Sequence, residues 1–446
     1  MARKIVIIGA HAAGTDAASA ARKTDRTAEI TMITDQKVAG YSPCGIPFVI
    51  GRHIKSFDDL IVFPPSYYRM MKIDLRLETK AKKINTEEKT VEIEDKSGKS
   101  ETLRYDSLII ATGAYPFVPP IKGRDKDGVF TLRTIEDGKK IDQALEKAKS
   151  AVVIGAGLIG LETAVALVER GVNTTVVELL PQICPAMLDK DTANLVQKNL
   201  EEKGLKIITG KGVDEILGDN HVNAVSVAGE EIPADLVVVA TGVRPNVQLA
   251  KDAGIEIGET GGIKTNMRME TSVKDVYAAG DCVESINLIT GRPMLSQLGT
   301  TAVRQAKVAG INAAGGYAVF MGSLGSCVTK LFDLEVGATG LTEFMANRFG
   351  IETVSGTITS KTRADYYPGG KSIRVKIIVD KDTERIIGGQ IVGGEEVTQR
   401  INALSFAIQK QMTVRELAKA DTCYAPPVNE TWEPMVLAAE LALRRL

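Results

Sequence analysis

The sequence predicts an α/β fold: two nested Rossmann-like dinucleotide-binding domains, then a C-terminal α+β domain. Three observations carry this reading. Two glycine-rich turns, Gly9-Ala10-His11-Ala12-Ala13-Gly14 and Gly155-Ala156-Gly157-Leu158-Ile159-Gly160, each follow a short apolar run and open a helix-forming stretch. Two later runs, Leu108–Ala111 and Leu236–Ala240, both end in Thr-Gly, one downstream of each turn. The stretch 323–446 carries no such turn.

Taken in order, residues 4–8 (KIVII) read as a strand of a buried parallel sheet, because apolar side chains fall on both faces. A helix of small residues from Ala12 to Arg22 follows, then a strand at Ile30–Ile33. The same grammar returns as the strand Ala151–Ile154, the helix Leu158–Arg170 and the strand Thr174–Val177. The second copy lies inside the first, because Tyr277-Ala278-Ala279-Gly280-Asp281, beyond Gly242, still belongs to the first design. The predicted boundaries are 1–113 with 245–322 for the first domain, 114–244 for the second and 323–446 for the third. The third reads as α+β from the strand-like Ile373–Val379 and a helix near Gln399–Gln411.

Composition narrows the function. A chain of 446 residues with a net charge of −1 shows no electrostatic footprint for nucleic acid or an anionic membrane. No apolar run reaches the roughly 18 residues of a membrane span. The start, Met1 to Gly9, runs straight into a strand and is too short in its apolar part for a secretory leader. Five scattered cysteines, Cys44, Cys184, Cys282, Cys327 and Cys423, form no CxxC pair. They indicate no zinc or other metal site and fit a reducing cytoplasm.

The turn at Gly155 matches GxGxxG in full. Gly155 permits the tight turn, Gly157 admits a pyrophosphate, and Gly160 lets helix meet strand. Glu178 closes the next strand, where a carboxylate accepts from both ribose hydroxyls, and Leu179-Leu180-Pro181 offer no arginine for a 2′-phosphate. NADH is therefore expected over NADPH. In the turn at Gly9, His11 replaces the middle glycine, where a side chain crowds the pyrophosphate; it reads as a packing or phosphate-side residue. Gly9 and Gly14 keep the turn and the helix contact, and Asp35, one place beyond Thr34, is the expected ribose acid. Asp281, after Gly280 at a strand end, suits the ribityl hydroxyls of a flavin.

Cys44 lies in Tyr41-Ser42-Pro43-Cys44-Gly45-Ile46-Pro47, with Pro47 in the first turn of a helix. A thiol at a helix N-terminus is expected to favour thiolate. Cys184, Cys282 and Cys327 read as packing residues, and so does Cys423 despite its neighbour Tyr424.

These motifs together resemble the two-dinucleotide-binding flavoprotein disulfide reductase family over essentially the whole chain. The resemblance implies FAD at the first site, a nicotinamide nucleotide at the second and a C-terminal dimerisation domain. It places Thr112, Gly113, Gly280, Thr300 and Gly242 at the cofactors beside the residues named above. The second cysteine of the CxxxxC members is missing, since Gly45, Ile46, Pro47, Phe48 and Val49 follow Cys44. The chain is therefore similar to the single-cysteine branch: coenzyme A disulfide reductases, NADH oxidases and peroxidases, and NAD(P)H sulfur or persulfide reductases. The tyrosines of Tyr366-Tyr367-Pro368-Gly369-Gly370 and Tyr424-Ala425-Pro426-Pro427 look like those that approach the active cysteine from the partner subunit of a homodimer. Arg22 and Arg304 are the implied phosphate contacts for a coenzyme A-linked acceptor. Gly40 and Pro43 stand where that group carries the Ser and Asn that bind coenzyme A.

The implied activity passes a hydride from NADH through FAD to Cys44, which reduces a small disulfide, persulfide or polysulfide. The alternatives are an NADH oxidase or peroxidase cycling Cys44 through sulfenic acid and a flavin-bound redox sensor with little turnover. Ala12, where peroxidases of this group place a His, argues against a peroxidase. The tyrosine motifs argue against a sensor, which needs no second-substrate pocket.

Overall fold

The run Lys4–Ile8 pairs in parallel with Glu29–Ile33 on one side and Ser107–Ile110 on the other, which explains its apolar character on both faces. The computed structural model, which describes residues 2–446, completes this sheet with Val276–Ala278 and Ile73–Arg76 at its edges. The helix Ala12–Thr24 packs on the helix Gly299–Ala313 through small side chains, close enough that a Cβ on Gly310 would strike the Ala17 carbonyl.

The second sheet repeats the design. Ser150–Ile154 lies between Asn173–Glu178 and Leu236–Val239, with Lys206–Thr209 and Val129–Thr131 outside them, and every pair is parallel. The chain crosses between the two sheets along an antiparallel ribbon of Ala114–Pro116 and Val243–Pro245. Both Thr-Gly ends clamp this ribbon: the Thr112 hydroxyl donates to the Asn246 carbonyl and the Thr241 hydroxyl to the Phe117 carbonyl, each at 2.6 Å.

The third sheet is antiparallel, in the order Cys327–Leu331, Leu334–Gly340, Ile386–Gly393, Ser372–Asp380, Thr353–Lys361. The helices Val397–Gln409 and Pro434–Leu443 complete its core. The first begins two residues before the expected position, because Glu396 turns the chain in the left-handed region at φ 66°. One apolar cluster joins the second and third sheets to the short helix Ile46–Ile50 of the first domain: Ile46, Val49 and Ile50 meet Leu161 and Leu167 of the second domain and Leu331 and Val336 of the third. Among the described residues, no helix is long and apolar enough to cross a membrane.

Candidate active site

The two glycine turns share one backbone shape. Gly9 and Gly155 have φ of 114° and 106°, and a side chain on either would strike a carbonyl, that of Ala111 or Ala240. Gly157 is the N-cap of the helix Leu158–Glu169, and a Cβ there would meet nothing within 4 Å. Open space at a helix N-terminus is geometry that can admit an anion. Glu178 braces it: its carboxylate accepts from the Ala156 N–H at 2.7 Å and from the Leu180 N–H at 2.9 Å.

His11 takes the place of Gly157 in the first turn, as N-cap of Ala12–Thr24 with the same extended backbone. Its ring turns edge-on to Tyr41, with centroids 4.4 Å apart. Its Nδ1 is buried without a hydrogen-bond partner, and burial holds the imidazole below its ordinary pKa, in the neutral form. Asp35 is exposed at the rim of an adjoining cavity of about 350 Å³, which Gln36, Tyr41, Thr134 and Glu136 also line. Thr34, by contrast, is buried.

Asp281 follows the edge strand Val276–Ala278, and its carboxylate is paired with Arg133 at 2.7 Å. Arg133 carries no sequence signal; the fold brings it in from the loop before the helix Ile135–Ala144. Cys44 lies in the single 3₁₀ turn Pro43–Gly45, ahead of a helix of only five residues, Ile46–Ile50. The expected thiolate preference is opposed here by burial. The residue keeps exposed surface, but desolvation by the surrounding protein, followed by the Glu162 carboxylate, pushes the thiol above its ordinary pKa against the pull of Arg133. So short a helix offers little compensating charge.

Glu162 was not anticipated. It is the only charged residue in the apolar run Leu158–Leu167, and that isolation was a usable signal. It accepts from the Thr329 hydroxyl of the third domain at 2.5 Å, and burial raises its pKa. Cys184, Cys282 and Cys327 have thiols pushed up mainly by burial, Cys184 to about 12 and Cys327 to about 11, and Cys423 is exposed.

Residues 3–306 match the model of the pyridine nucleotide-disulphide oxidoreductases, and residues 327–436 match the dimerisation domain of the same proteins. The chain belongs to the pyridine nucleotide-disulphide oxidoreductase family. It is 49% identical to a Methanocaldococcus jannaschii protein named NADH oxidase, across 99% of both chains. It is 37% identical to a Pyrococcus furiosus NAD(P)H sulfur oxidoreductase (CoA-dependent), across 98% of this chain and 99% of the other. The structure of a NAD-dependent persulfide reductase from A. fulgidus superposes with a TM-score of 0.97 at 41% identity, covering 99% of this chain and 83% of that one.

This oxidoreductase binds FAD and a nicotinamide nucleotide, and its residues fit both. The open turn at Gly157 with Glu178 suits NADH, and the orphaned His11 Nδ1 and Asp35 lie at the first turn, with Asp281 after the adjoining edge strand. The Thr112 hydroxyl gives its proton to the crossing ribbon and keeps lone pairs that can accept. One expected assignment is corrected. The Arg22 guanidinium donates to the carbonyls of Met71, Lys72 and Arg26 at 2.8–3.0 Å and is not free for a phosphate. Arg304 uses only Nε, on the Thr300 carbonyl at 3.0 Å, and is otherwise exposed. Tyr366 and Tyr424, from separate loops, meet at 2.6 Å between hydroxyls, with Tyr367 exposed beside them.

Proposed function

We propose that this chain reduces a sulfur–sulfur bond of a small disulfide, persulfide or polysulfide with electrons from NADH, through Cys44. The carrying observation is the placement of Cys44: a lone thiol with exposed surface, beside the Arg133–Asp281 pair at the first dinucleotide turn, with no second cysteine at dithiol spacing. FAD, held at the turn of Gly9 and Gly14 near Asp35 and Asp281, would supply the two-electron relay between NADH and sulfur. The Cys44 thiolate attacks one sulfur of R–S–S–R′; that bond breaks, R′–S⁻ leaves, and a mixed disulfide forms. Two electrons and one proton then restore the thiolate and release R–SH.

The active form is read as a homodimer in which Tyr366, Tyr367 and Tyr424 cover the partner's thiol. Support comes from the matched dimerisation domain and from its exposed apolar side chains Phe344, Phe406 and Trp432. Polysulfide or a small persulfide is favoured over a coenzyme A-linked disulfide. Arg22 is engaged, and Gly40, at φ 65°, leaves no room for a serine because its Cβ would strike the Tyr68 hydroxyl. A second reading, reduction of oxygen, is favoured by the name of the 49% identical relative.

Cys44→Ser separates the two. The variant is expected to keep bound FAD and its bleaching by NADH, and to lose polysulfide and disulfide reduction at least a hundredfold. Oxygen consumption that persists in this variant is a leak from reduced flavin. Wild-type turnover with sulfur acceptors in Cys44→Ser would end the proposal.

A further inference from the structure

We infer that Arg400, with Asn429 and Glu433, is a positioning device that sets the Tyr366–Tyr424 pair over the acceptor site; this rests on the reading of the tyrosines given above. The segment 421–433, which carries Cys423, Tyr424 and Trp432, contains no helix or strand. It is held from inside by one buried guanidinium. Arg400 donates through Nε and Nη2 to both oxygens of Glu433 at 2.7 and 3.2 Å, through Nη2 to Asn429 Oδ1 at 3.0 Å, and through Nη1 to Glu396 at 2.7 Å. Asn429 in turn donates to the Cys423 carbonyl at 3.1 Å, one residue from Tyr424.

The Tyr366 loop is tied to the same corner. The Thr362 hydroxyl donates to Glu395 at 2.6 Å, and the Ala364 N–H donates to the Pro426 carbonyl at 3.3 Å. Both tyrosine loops therefore hang from Glu395–Glu396, the left-handed corner at the start of the helix Val397–Gln409. A planar fork that satisfies two carboxylates and an amide fixes geometry in a way a lysine cannot. Apart from the Ala364–Pro426 bond between the loops, the hydroxyl contact at 2.6 Å stands alone: neither hydroxyl makes a second hydrogen bond among the described residues.

The test uses the full-length FAD-loaded protein and polysulfide as acceptor. Asn429→Ala frees the Cys423 carbonyl while leaving Arg400 paired with both carboxylates, so no buried charge is orphaned. It is expected to lower kcat/KM for polysulfide about tenfold, with the anaerobic rate of flavin reduction by NADH unchanged. Arg400→Lys is expected to lower it further. Tyrosine ultraviolet titration gives an independent readout. Tyr366 titrates above its ordinary range because Tyr424 hydrogen-bonds to it, and this elevation is expected to disappear in both variants. Tyr424→Phe separates the two claims. If it lowers polysulfide turnover and the two network variants do not, the positioning role is overturned and the proposed function stands. If it changes nothing, the tyrosine part of that function falls, and an unaltered Tyr366 titration in Asn429→Ala also overturns the positioning role. Equal losses in flavin reduction and polysulfide turnover would show general damage and overturn it too.

Discussion

Cys44 has two acids near it, Glu162 and Asp281, and one base, Arg133. Only the thiolate is nucleophilic, so its alkylation in the cofactor-free protein is expected to climb with pH to above the ordinary thiol range. Arg133→Met removes the one favourable charge, and the iodoacetamide rate profile is expected to move to still higher pH; an unmoved profile would show that Arg133 does not act on the thiol. At this scale the sequence was legible where backbone shape follows from local spacing, as in the turns at Gly9, Gly155 and Gly157. Arg133 and Thr329 were not, because their contacts arise where separate domains meet, and Glu162 showed only as a lone charge in an apolar run. Arg22 misled for the converse reason: a basic residue in the last turn of a helix reads as free until the carbonyls it caps are seen.

Between elements, a buried ion cluster joins the strand Ser372–Asp380 to the helix Lys190–Glu202. Lys376, 4% exposed, lies 2.7–3.2 Å from Asp189, Asp191 and Glu343. Burial alone would lower its pKa, but the bonds to Glu343 and Asp191 more than offset this, and it stays protonated. Burial likewise pulls the Asp191 carboxyl up, and the bonds to Lys376 and Arg374 outweigh it, leaving the carboxyl below its ordinary value. Lys376→Met takes the shared cation from these carboxylates, of which Asp191 keeps Arg374 and Asp189 keeps Gln390, and a loss of about 1.5–3 kcal/mol is expected at neutral pH. A depressed carboxyl stabilises above its unfolded pKa, and that contribution is lost as pH falls through the folded one. The deficit of the variant, followed by urea unfolding, is therefore expected to shrink in acid; a deficit constant with pH would remove the ion pair as its cause. The strands and helices of this interface were legible from periodicity, but their partners were not. The two Thr-Gly ends show the limit: their repetition revealed the duplicated domain, while the hydroxyls proved to clamp a crossing that no local pattern announces.

At the scale of the molecule, the apolar cluster shared by all three domains is expected to couple their unfolding. Release of flavin fluorescence and loss of far-ultraviolet ellipticity are expected at the same temperature. Val336→Ala, at a fully buried position of the third domain, is expected to lower both midpoints together, by about 1–3 kcal/mol. Separate transitions would show that the domains unfold alone. The nesting also has a consequence for synthesis. The strand Ser107–Ile110 leaves the ribosome long before its edge partner Val276–Ala278. At roughly 5–20 residues per second, the interval between them is on the order of ten to thirty seconds. During that time an apolar strand edge stays open to other chains, while the second domain, contiguous in sequence, completes its sheet. Nascent chains stalled before residue 276 are expected to protect the second domain from protease and to leave the first exposed; protection of both would show that the first domain closes without its last strand.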